Sequence, residues 1–349
     1  MLSGADPRGV AANAPAQDQS WIKIAREYGV ADPRRSAFQL ITTVVPMAAL
    51  WVLMQQSLAV GYWVTLLLAI PTAGLLVRLF MIQHDCGHHS FFRARWLNDL
   101  VGRVISIFTL TPYDQWRNAH AYHHATSGDL DRRGIGDIDM LTVAEYRALG
   151  WRGRFVYRLY RNPLVTFVIG PAWVFVIKQR FPFRSRPDGA RGLTSVLATN
   201  IAIGAVLALA MYFIGVADIL LVQIPITLIA SSIGVWLFFV QHQYERTYWE
   251  RHKDWSFETA ALRGSSYYAL PRILRWFTAD IGIHHIHHLC SRIPNYRLNE
   301  CLIDNPGLRA FERLTFWQSI KCMRLTLWDE GQKRLVGFRE ALNPAANAR

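Results

Sequence analysis

Histidine is the residue whose spacing most clearly indicates chemistry in this sequence, because all twelve copies fall in four short segments. In a helix, a separation of four residues places two imidazoles on one face, and the pattern i, i+3, i+4 places three there. The segments that begin at His84, His120 and His284 have these spacings, and the fourth contains His242 and His252. We expect His252 to be an ordinary hydrogen-bonded histidine. The predicted metal ligands are His84, His88, His120, His123, His124, His242, His284, His287 and His288.

The number and type of these ligands indicate which metals they suit. Nine imidazole nitrogens exceed the four ligands of a tetrahedral zinc ion and suit two metals of higher coordination number. Imidazole also suits oxidative chemistry, because a metal–oxygen species able to take hydrogen from a methylene would oxidise a ligating sulfur. We therefore interpret Cys86 and Cys290, which lie beside the histidine segments, as packing residues. None of the four cysteines forms a CxxC pair, and we interpret them as reduced thiols that face the cytosol.

Carboxylates near the histidines are candidates to accept the second ring N–H of a ligand. Asp280 is the first candidate, since it precedes His284 by four residues, and Asp85 and Glu245 are further candidates. Four aspartates follow the second histidine segment between residues 128 and 139. We expect these four to have surface or capping roles.

A first long apolar stretch leads directly into the first histidine segment. Between Arg35 and Arg78 there is no Asp, Glu, Lys or Arg. About 40 residues at 1.5 Å each could cross a bilayer roughly 30 Å thick twice. We therefore predict a transmembrane hairpin over residues 36–83, with its turn around residues 55–61, which delivers His84 to the membrane surface.

A second apolar stretch has the same organisation. Residues 192–244 contain Asp218 as their only acidic or basic residue, near the middle where a short turn belongs. This predicts a second hairpin over residues 192–241, with His242 at its end. The sequence thus predicts an all-α integral membrane protein with four transmembrane helices in two hairpins.

Two complete hairpins would return the chain to one compartment. Residues 1–35, 84–191 and 242–349 would then form a helical cap that holds the histidine-rich di-metal site. The segments that would form the cap contain the Lys and Arg residues apart from Arg78, and residues 36–77 and 192–244 contain none. The positive-inside rule therefore predicts that the cap and both termini are cytosolic. The apolar runs at residues 101–111 and 164–177 are too short to span comfortably and predict interfacial or re-entrant helices.

Composition supports a membrane protein over a nucleic-acid-binding one. Hydrophobic residues make up 52% of the chain, and the formal charge is +13. Because most basic residues flank apolar runs, an anionic membrane surface explains them better than nucleic acid does. Residues 1–20 contain no apolar core of the length of a cleaved signal, and we expect a flexible polar start.

Three histidine motifs resemble those of the membrane fatty acid desaturase family. HDCGHHSFF at residues 84–92 is similar to the first histidine box of that family, HAYHH at residues 120–124 to the second and HHIHH at residues 284–288 to the third. The resemblance extends over residues 38–298, and His242 lies where the family carries an extra ligand. His89 and His285 occupy variable positions of their boxes.

The resemblance implies a fold, an activity and cofactors. Members bind two Fe ions, use dioxygen as co-substrate and remove two hydrogens from adjacent methylenes of an acyl chain. The amino-acid sequences of the boxes are most similar to those of bacterial acyl-lipid desaturases of the delta-12 or omega-6 group. This resemblance implies a bacterial inner membrane and a lipid-linked substrate. The sequence contains no haem-domain motif or four-cysteine cluster, so we expect an external electron donor such as a ferredoxin or a small haem protein.

Several alternatives remain open from the sequence. The same scaffold hosts acyl hydroxylases, acetylenases, conjugases and alkane hydroxylases. A membrane zinc hydrolase, in which a metal-bound water attacks an amide or ester, is a more distant alternative. A haem-binding electron-transfer protein would pair histidines across helices, and the adjacent histidine pairs argue against it.

Overall fold

The computed structural model describes residues 20–182 and 189–342, and the predicted polar start at residues 1–19 lies outside them. Residues 183–188 and 343–349, which belong to the predicted cap, also lie outside the described residues. The α-helices are, in chain order, α1 (Trp21–Arg26), α2 (Pro33–Ser57), α3 (Tyr62–Gly87), α4 (Arg95–Phe108), α5 (Tyr113–Thr126), α6 (Val143–Ala148), α7 (Trp151–Tyr160), α8 (Gly170–Ala172), α9 (Gly189–Ile214), α10 (Val216–His242), α11 (Phe257–Arg263), α12 (Arg272–Phe277), α13 (His284–Leu289), α14 (Asn295–Asp304), α15 (Phe316–Cys322) and α16 (Phe338–Leu342). The strands are β1 (Leu141–Thr142), β2 (Tyr267–Ala269), β3 (Arg313–Thr315), β4 (Leu327–Asp329) and β5 (Arg334–Val336).

Helices α2 and α3 form the first predicted hairpin. The Asp32 side chain caps α2 by accepting from the backbone N–H groups of Arg34 and Arg35, and Pro33 stands at the first helical position. The helix ends at Ser57, within the predicted turn, and the chain reverses at Gly61, whose φ of +156° lies at the edge of the left-handed region. Both helices are long and apolar enough to cross a membrane.

Helices α9 and α10 form the second predicted hairpin. The reversal is at Gly215, with φ of +108°, and Asp218 lies in the first turn of α10. Both helices also meet the length and hydropathy of membrane spans. Apolar side chains on α9, such as Ile201 and Phe213, are mostly exposed, as expected for a face that contacts lipid. The four apolar helices therefore fit membrane association, as the sequence predicted.

Helix α3 packs between α2 and α10, and this arrangement determines where the histidines meet. His84 lies in the last turn of α3, and His242 is the last residue of α10. The second helix of each hairpin therefore ends at the same place.

The predicted re-entrant run at residues 164–177 is an irregular helical segment. Two π-helical turns, Val165–Ile169 and Trp173–Ile177, flank α8, and a short 3₁₀ turn, Lys178–Arg180, follows. This segment is bent by 57° from α7, so that the pair is either a broken span or a re-entrant loop. His123 precedes this segment and His242 follows it, and the two are in contact. The chain between them must therefore cross the membrane an even number of times. Helices α9 and α10 already provide two crossings, so the re-entrant form is favoured.

The cap surrounds the histidine ends of α3 and α10 with short elements. Strand β2 pairs with β3 in parallel, and β4 joins β1 in parallel and β5 in antiparallel orientation. These strands have at most three residues each, too few to produce the alternating pattern by which a strand is recognised in sequence. The predominantly helical fold is confirmed, with short strands that the sequence did not indicate.

Candidate metal centre

Four elements bring the nine predicted ligands together. The end of α3 provides His84 and His88, α5 provides three histidines, α10 ends at His242, and α13 carries the third box. On α5 and α13 the i, i+3, i+4 spacing places three imidazoles on one face, as predicted. The structure therefore joins histidines that are far apart in sequence into one cluster at the cap end of the apolar helices.

Five of the histidines form a first group, which we call the five-histidine group. Its members offer nitrogen atoms that all lie within 4.8 Å of one another, and they are His84, His88, His120, His124 and His287. Within it, the Nε2 of His124 lies 3.1 Å from the Nε2 of His120 and 3.1 Å from the Nε2 of His287. Boxes one, two and three thus each contribute to one site.

The remaining ligands form a second group. Nitrogen atoms of His123, His242 and His288 lie within 4.8 Å of one another. The Nε2 of His242 is 3.2 Å from that of His123 and 3.0 Å from that of His284. His284 therefore lies beside this group. The five-histidine group, these three histidines and His284 together account for all nine predicted ligands.

The nitrogen spacings fit metal coordination. Imidazole nitrogen binds first-row metals at about 2.1 Å, so adjacent ligands of an octahedron lie about 3.0 Å apart. The observed Nε2 separations of 3.0 to 3.2 Å match this edge. The Nε2 atoms of His88 and His288 are buried and have no hydrogen-bond partner among the described residues, which leaves their lone pairs available to a metal.

Burial keeps the ligands in the protonation state that metal binding requires. Removal from solvent, reinforced by neighbouring imidazoles, lowers the pKa of six ligands outside the membrane spans well below the usual histidine value, and they are His88, His120, His124, His284, His287 and His288. Neutral imidazole has a free lone pair, whereas imidazolium does not. The donor set is therefore neutral and nitrogen-rich, and it fits metal ions that accept imidazole.

Three ligands have their second ring nitrogen held by an oxygen atom. The Nδ1 of His84 donates to Asp85 Oδ1 at 3.1 Å, and that of His123 donates to Asp137 Oδ1 at 2.5 Å. The Nδ1 of His242 donates to the carbonyl oxygen of Gly264 at 3.1 Å. Each contact fixes the tautomer so that Nε2 faces the cluster.

The predicted orienting carboxylates are only partly placed as expected. Asp85 contacts His84, but Asp280 accepts a hydrogen bond from Arg275 at 2.6 Å, and Glu245 pairs with Arg334. Neither contacts a ligand histidine among the described residues. The argument for Asp280 assumed a helix continuing back from His284, but α13 begins at that residue, and the turn before it gives Asp280 a φ of +55°.

Asp137 was expected to have a surface or capping role, and the structure instead places it on His123. The loop after box two returns to α5 because Gly134 and Gly136 adopt left-handed φ values of +103° and +77°. A Cβ at Gly136 would lie 2.9 Å from the Ala119 carbonyl oxygen, so only glycine allows this approach. Two glycines shortly before the aspartate were the signal that could have identified it.

The three histidines that were not predicted as ligands have other partners. His89 bonds Asp99 at 2.9 Å, and His285 bonds the Leu308 carbonyl oxygen at 2.9 Å. His252 bonds Asp129 at 2.7 Å.

A large apolar cavity meets the metal centre. It encloses about 710 Å³, within the range of ligand pockets, and His84, His120 and His284 form part of its wall. Most of the remaining wall comes from α3, the irregular segment that contains α8, and α10. On α10 it extends from Gln241 to Thr227, a rise of about 21 Å at 1.5 Å per residue.

Comparisons with known proteins agree with this geometry. A family model described as fatty acid desaturase matches residues 58–316. The chain is 45% identical to a fatty acid desaturase from Bacillus subtilis (strain 168) over 310 residues, which cover 88% of this chain and 87% of that protein.

More distant relatives have more specific names. The chain is 26% identical over 292 residues to an sn-1 oleoyl-lipid 12-desaturase from Anabaena variabilis, covering 76% of this chain and 77% of the relative. It is 31% identical over 237 residues to an sn-1 acyl-lipid omega-3 desaturase (ferredoxin) from Synechocystis sp., covering 63% of this chain and 61% of the relative.

Proposed function

Because this chain belongs to the fatty acid desaturase family, whose members are oxidoreductases acting on paired donors with dioxygen, we propose that it desaturates a lipid-linked acyl chain. The observation that carries the proposal is the junction of the nine-histidine cluster with the 710 Å³ apolar cavity. An acyl chain in this cavity would present a methylene to the metal centre while the cavity wall excludes water.

The cofactor that we propose is a pair of Fe ions. The five-histidine group would hold one, and His123, His242, His284 and His288 the other. When bound, the irons would supply the reductive activation of dioxygen. Asp85, Asp137 and the Gly264 carbonyl oxygen would orient three of the ligands, and the neutral imidazoles would survive the oxidising chemistry.

Aromatic side chains would position the substrate beside the ligands. Trp116 lines the cavity and stacks on His120 with ring centroids 4.6 Å apart. Phe238 also lines the cavity, and its ring centroid lies 5.1 Å from those of His123 and His242. These rings restrict the space next to the metal centre, so they would hold one stretch of the acyl chain against it.

Delta-12 or omega-6 selectivity is the finer proposal. It is supported by the amino-acid sequences of the three boxes and by the Anabaena variabilis relative named as a 12-desaturase. A lipid-linked substrate is supported by the same name.

The electron donor and the membrane topology are the remaining parts of the proposal. The donor would be a ferredoxin or a small haem protein, as the Synechocystis relative named with ferredoxin supports. With a net charge of +13, the chain would attract an acidic donor over a long range. We propose transmembrane hairpins at residues 36–83 and 192–241 of a bacterial inner membrane, with the termini and metal centre cytosolic.

The proposal is tested by the lipid profile of bacteria that express the chain, measured by gas chromatography after derivatisation of double bonds. Expression with a ferredoxin and its reductase should produce new unsaturated acyl chains, and derivatisation gives their double-bond position. The variant His287→Ala should produce none, because it removes a ligand whose Nε2 faces that of His124. The matched control His252→Ala, outside the cluster, should retain activity.

Other products would change the proposal in defined ways. Hydroxylated or acetylenic chains would keep the metal centre and change the named reaction. Double bonds at another position would overturn only the delta-12 proposal. New unsaturated chains with His287→Ala would contradict the assignment of the histidine cluster as the active centre.

A further inference from the structure

A buried polar network leads from the metal centre into the first hairpin. It consists of His84, Asp85, Asn295 and Gln39, and each of them is at most 6% exposed. We propose that Asn295 and Gln39 are positioning residues for the five-histidine group, which act by fixing the Asp85 carboxylate and, through it, the ring of His84. The inference rests on the metal-binding part of the proposed function.

Asp85 is the acceptor at the centre of the network. Its Oδ1 accepts from His84 Nδ1 at 3.1 Å. Its Oδ2 accepts from the backbone N–H of Asn295 at 2.7 Å and from Asn295 Nδ2 at 2.8 Å. Because the carboxylate oxygens accept, the His84 ring donates from Nδ1 and carries its lone pair on Nε2.

Gln39 fixes the orientation of the Asn295 amide. Gln39 Nε2 donates to Asn295 Oδ1 at 2.7 Å, and Asn295 Nδ2 donates to Gln39 Oε1 at 3.1 Å. This reciprocal pair uses one hydrogen of Nδ2 and leaves the other for Asp85. In a flipped Asn295 amide, Oδ1 would face the Asp85 carboxylate, and the two contacts to Gln39 would survive only with the Gln39 amide turned as well.

The network joins three segments that are distant in sequence. Gln39 lies in α2, Asp85 in α3, and Asn295 is the first residue of α14, seven residues after His288. Burying an amide costs free energy unless it is hydrogen-bonded, and here the amides of Gln39 and Asn295 hydrogen-bond each other. Gln39 on the first helix of the hairpin therefore supports, through Asn295 and Asp85, the ligand His84 on the second helix.

Two explanations of the network make different predictions. If it only holds α14 against the hairpin, its loss lowers the stability of the whole cap and affects both metal sites. If it positions His84, its loss acts on the five-histidine group alone. Partners of metal-ligating histidines typically contribute about 10- to 100-fold in metal affinity.

The test measures chelator-induced release of metal from purified full-length protein as isolated, with its thermal midpoint. We expect Asn295→Ala to release one of the two metals about 10- to 100-fold faster than the unmodified chain, with the second metal released at the original rate. Gln39→Met should accelerate the same release by a smaller factor. The matched control is Asn305→Ala, which removes hydrogen bonds to Cys301 and Tyr28 at the other end of α14 and should leave both rates unchanged.

The opposing results are also defined. Unchanged release in both network variants would overturn the inference, and so would accelerated release of both metals together with a lower thermal midpoint. If Asn295→Ala does not fold, Gln39→Met decides, because it keeps both contacts between Asn295 and Asp85. Selective release in a chain that forms no double bond would support this inference while the proposed reaction failed.

Discussion

The Nε2 atoms of His124 and His287 lie 3.1 Å apart, although 163 residues separate these histidines in the sequence. The same His124 atom is 3.1 Å from the Nε2 of His120. One imidazole nitrogen carries either a proton or a lone pair, so it cannot donate to one neighbour and accept from the other, whereas all three nitrogens can point their lone pairs at one cation. Box two and box three therefore meet where one metal ion could bind, and a bound ion would link α5 to α13.

Asp137 provides a prediction on the orientation of a ligand. Replacing it by Asn should reduce the affinity of the second group for metal by about 10- to 100-fold, because the charged acceptor of the His123 Nδ1–H is lost. Metal content after dialysis against graded chelator measures this change. Asp131→Asn is the matched control, since Asp131 lies on the same loop but pairs with Arg251. Equal metal retention in both variants would contradict the orienting role of Asp137.

The cavity provides a prediction on the substrate. Gly234 lines it, and a Cβ added there would meet no atom within 4 Å, so a larger side chain would fill space that the acyl chain needs. We expect Gly234→Leu to lower desaturation of long acyl chains about tenfold or more without changing metal content. Quantification of double bonds per metal-loaded protein tests this.

The control for the cavity is Gly204→Leu on α9. A Cβ at Gly204 also meets no atom within 4 Å, but this residue does not line the cavity. Its activity should stay close to that of the unmodified chain. A similar loss in both variants would indicate a general effect of leucine in an apolar helix and would count against the cavity as the acyl site.

His285 provides a prediction on pH dependence. Burial lowers its pKa to about 4, whereas the unfolded chain has a value of about 6.5. Between these values the unfolded state binds a proton that the folded state does not, so stability is complete above pH 6.5 and falls as the pH is lowered towards 4. The loss from this residue is about 3 kcal/mol.

The measurement compares thermal midpoints of chelator-treated protein from pH 8 to pH 4, so that metal release does not contribute. His285→Gln retains a donor for the Leu308 carbonyl oxygen but does not titrate. Its midpoint should therefore fall less steeply with pH than that of the unmodified chain. Parallel curves for the two proteins would contradict the lowered pKa of His285.

The sequence predicts the features of this fold that repeat regularly along the chain. Runs without charge revealed both hairpins, with the first turn correctly expected at residues 55–61. The i, i+3, i+4 spacing indicated which histidines share a helix face, and the structure brings all nine together. These patterns depend only on helix geometry and on the exclusion of charge from an apolar environment.

The residues around the ligands could not be predicted in the same way. The four-residue spacing predicts Asp280 one helical turn before His284, but α13 begins at His284 itself. Asp137 and Asn295 reach their partners through loops and tertiary packing, which leave no periodic signal. A reciprocal amide pair such as that of Gln39 and Asn295 becomes visible only when α2 and α14 are placed side by side.

The metal content of the purified chain, measured by mass spectrometry of the elements after expression in iron-sufficient medium, tests the central claim most directly. The account predicts two Fe ions per chain, one for each group of histidines, and one or none in a variant with His124 and His287 both changed to Ala. One zinc ion per chain without iron would contradict it and would favour a zinc hydrolase.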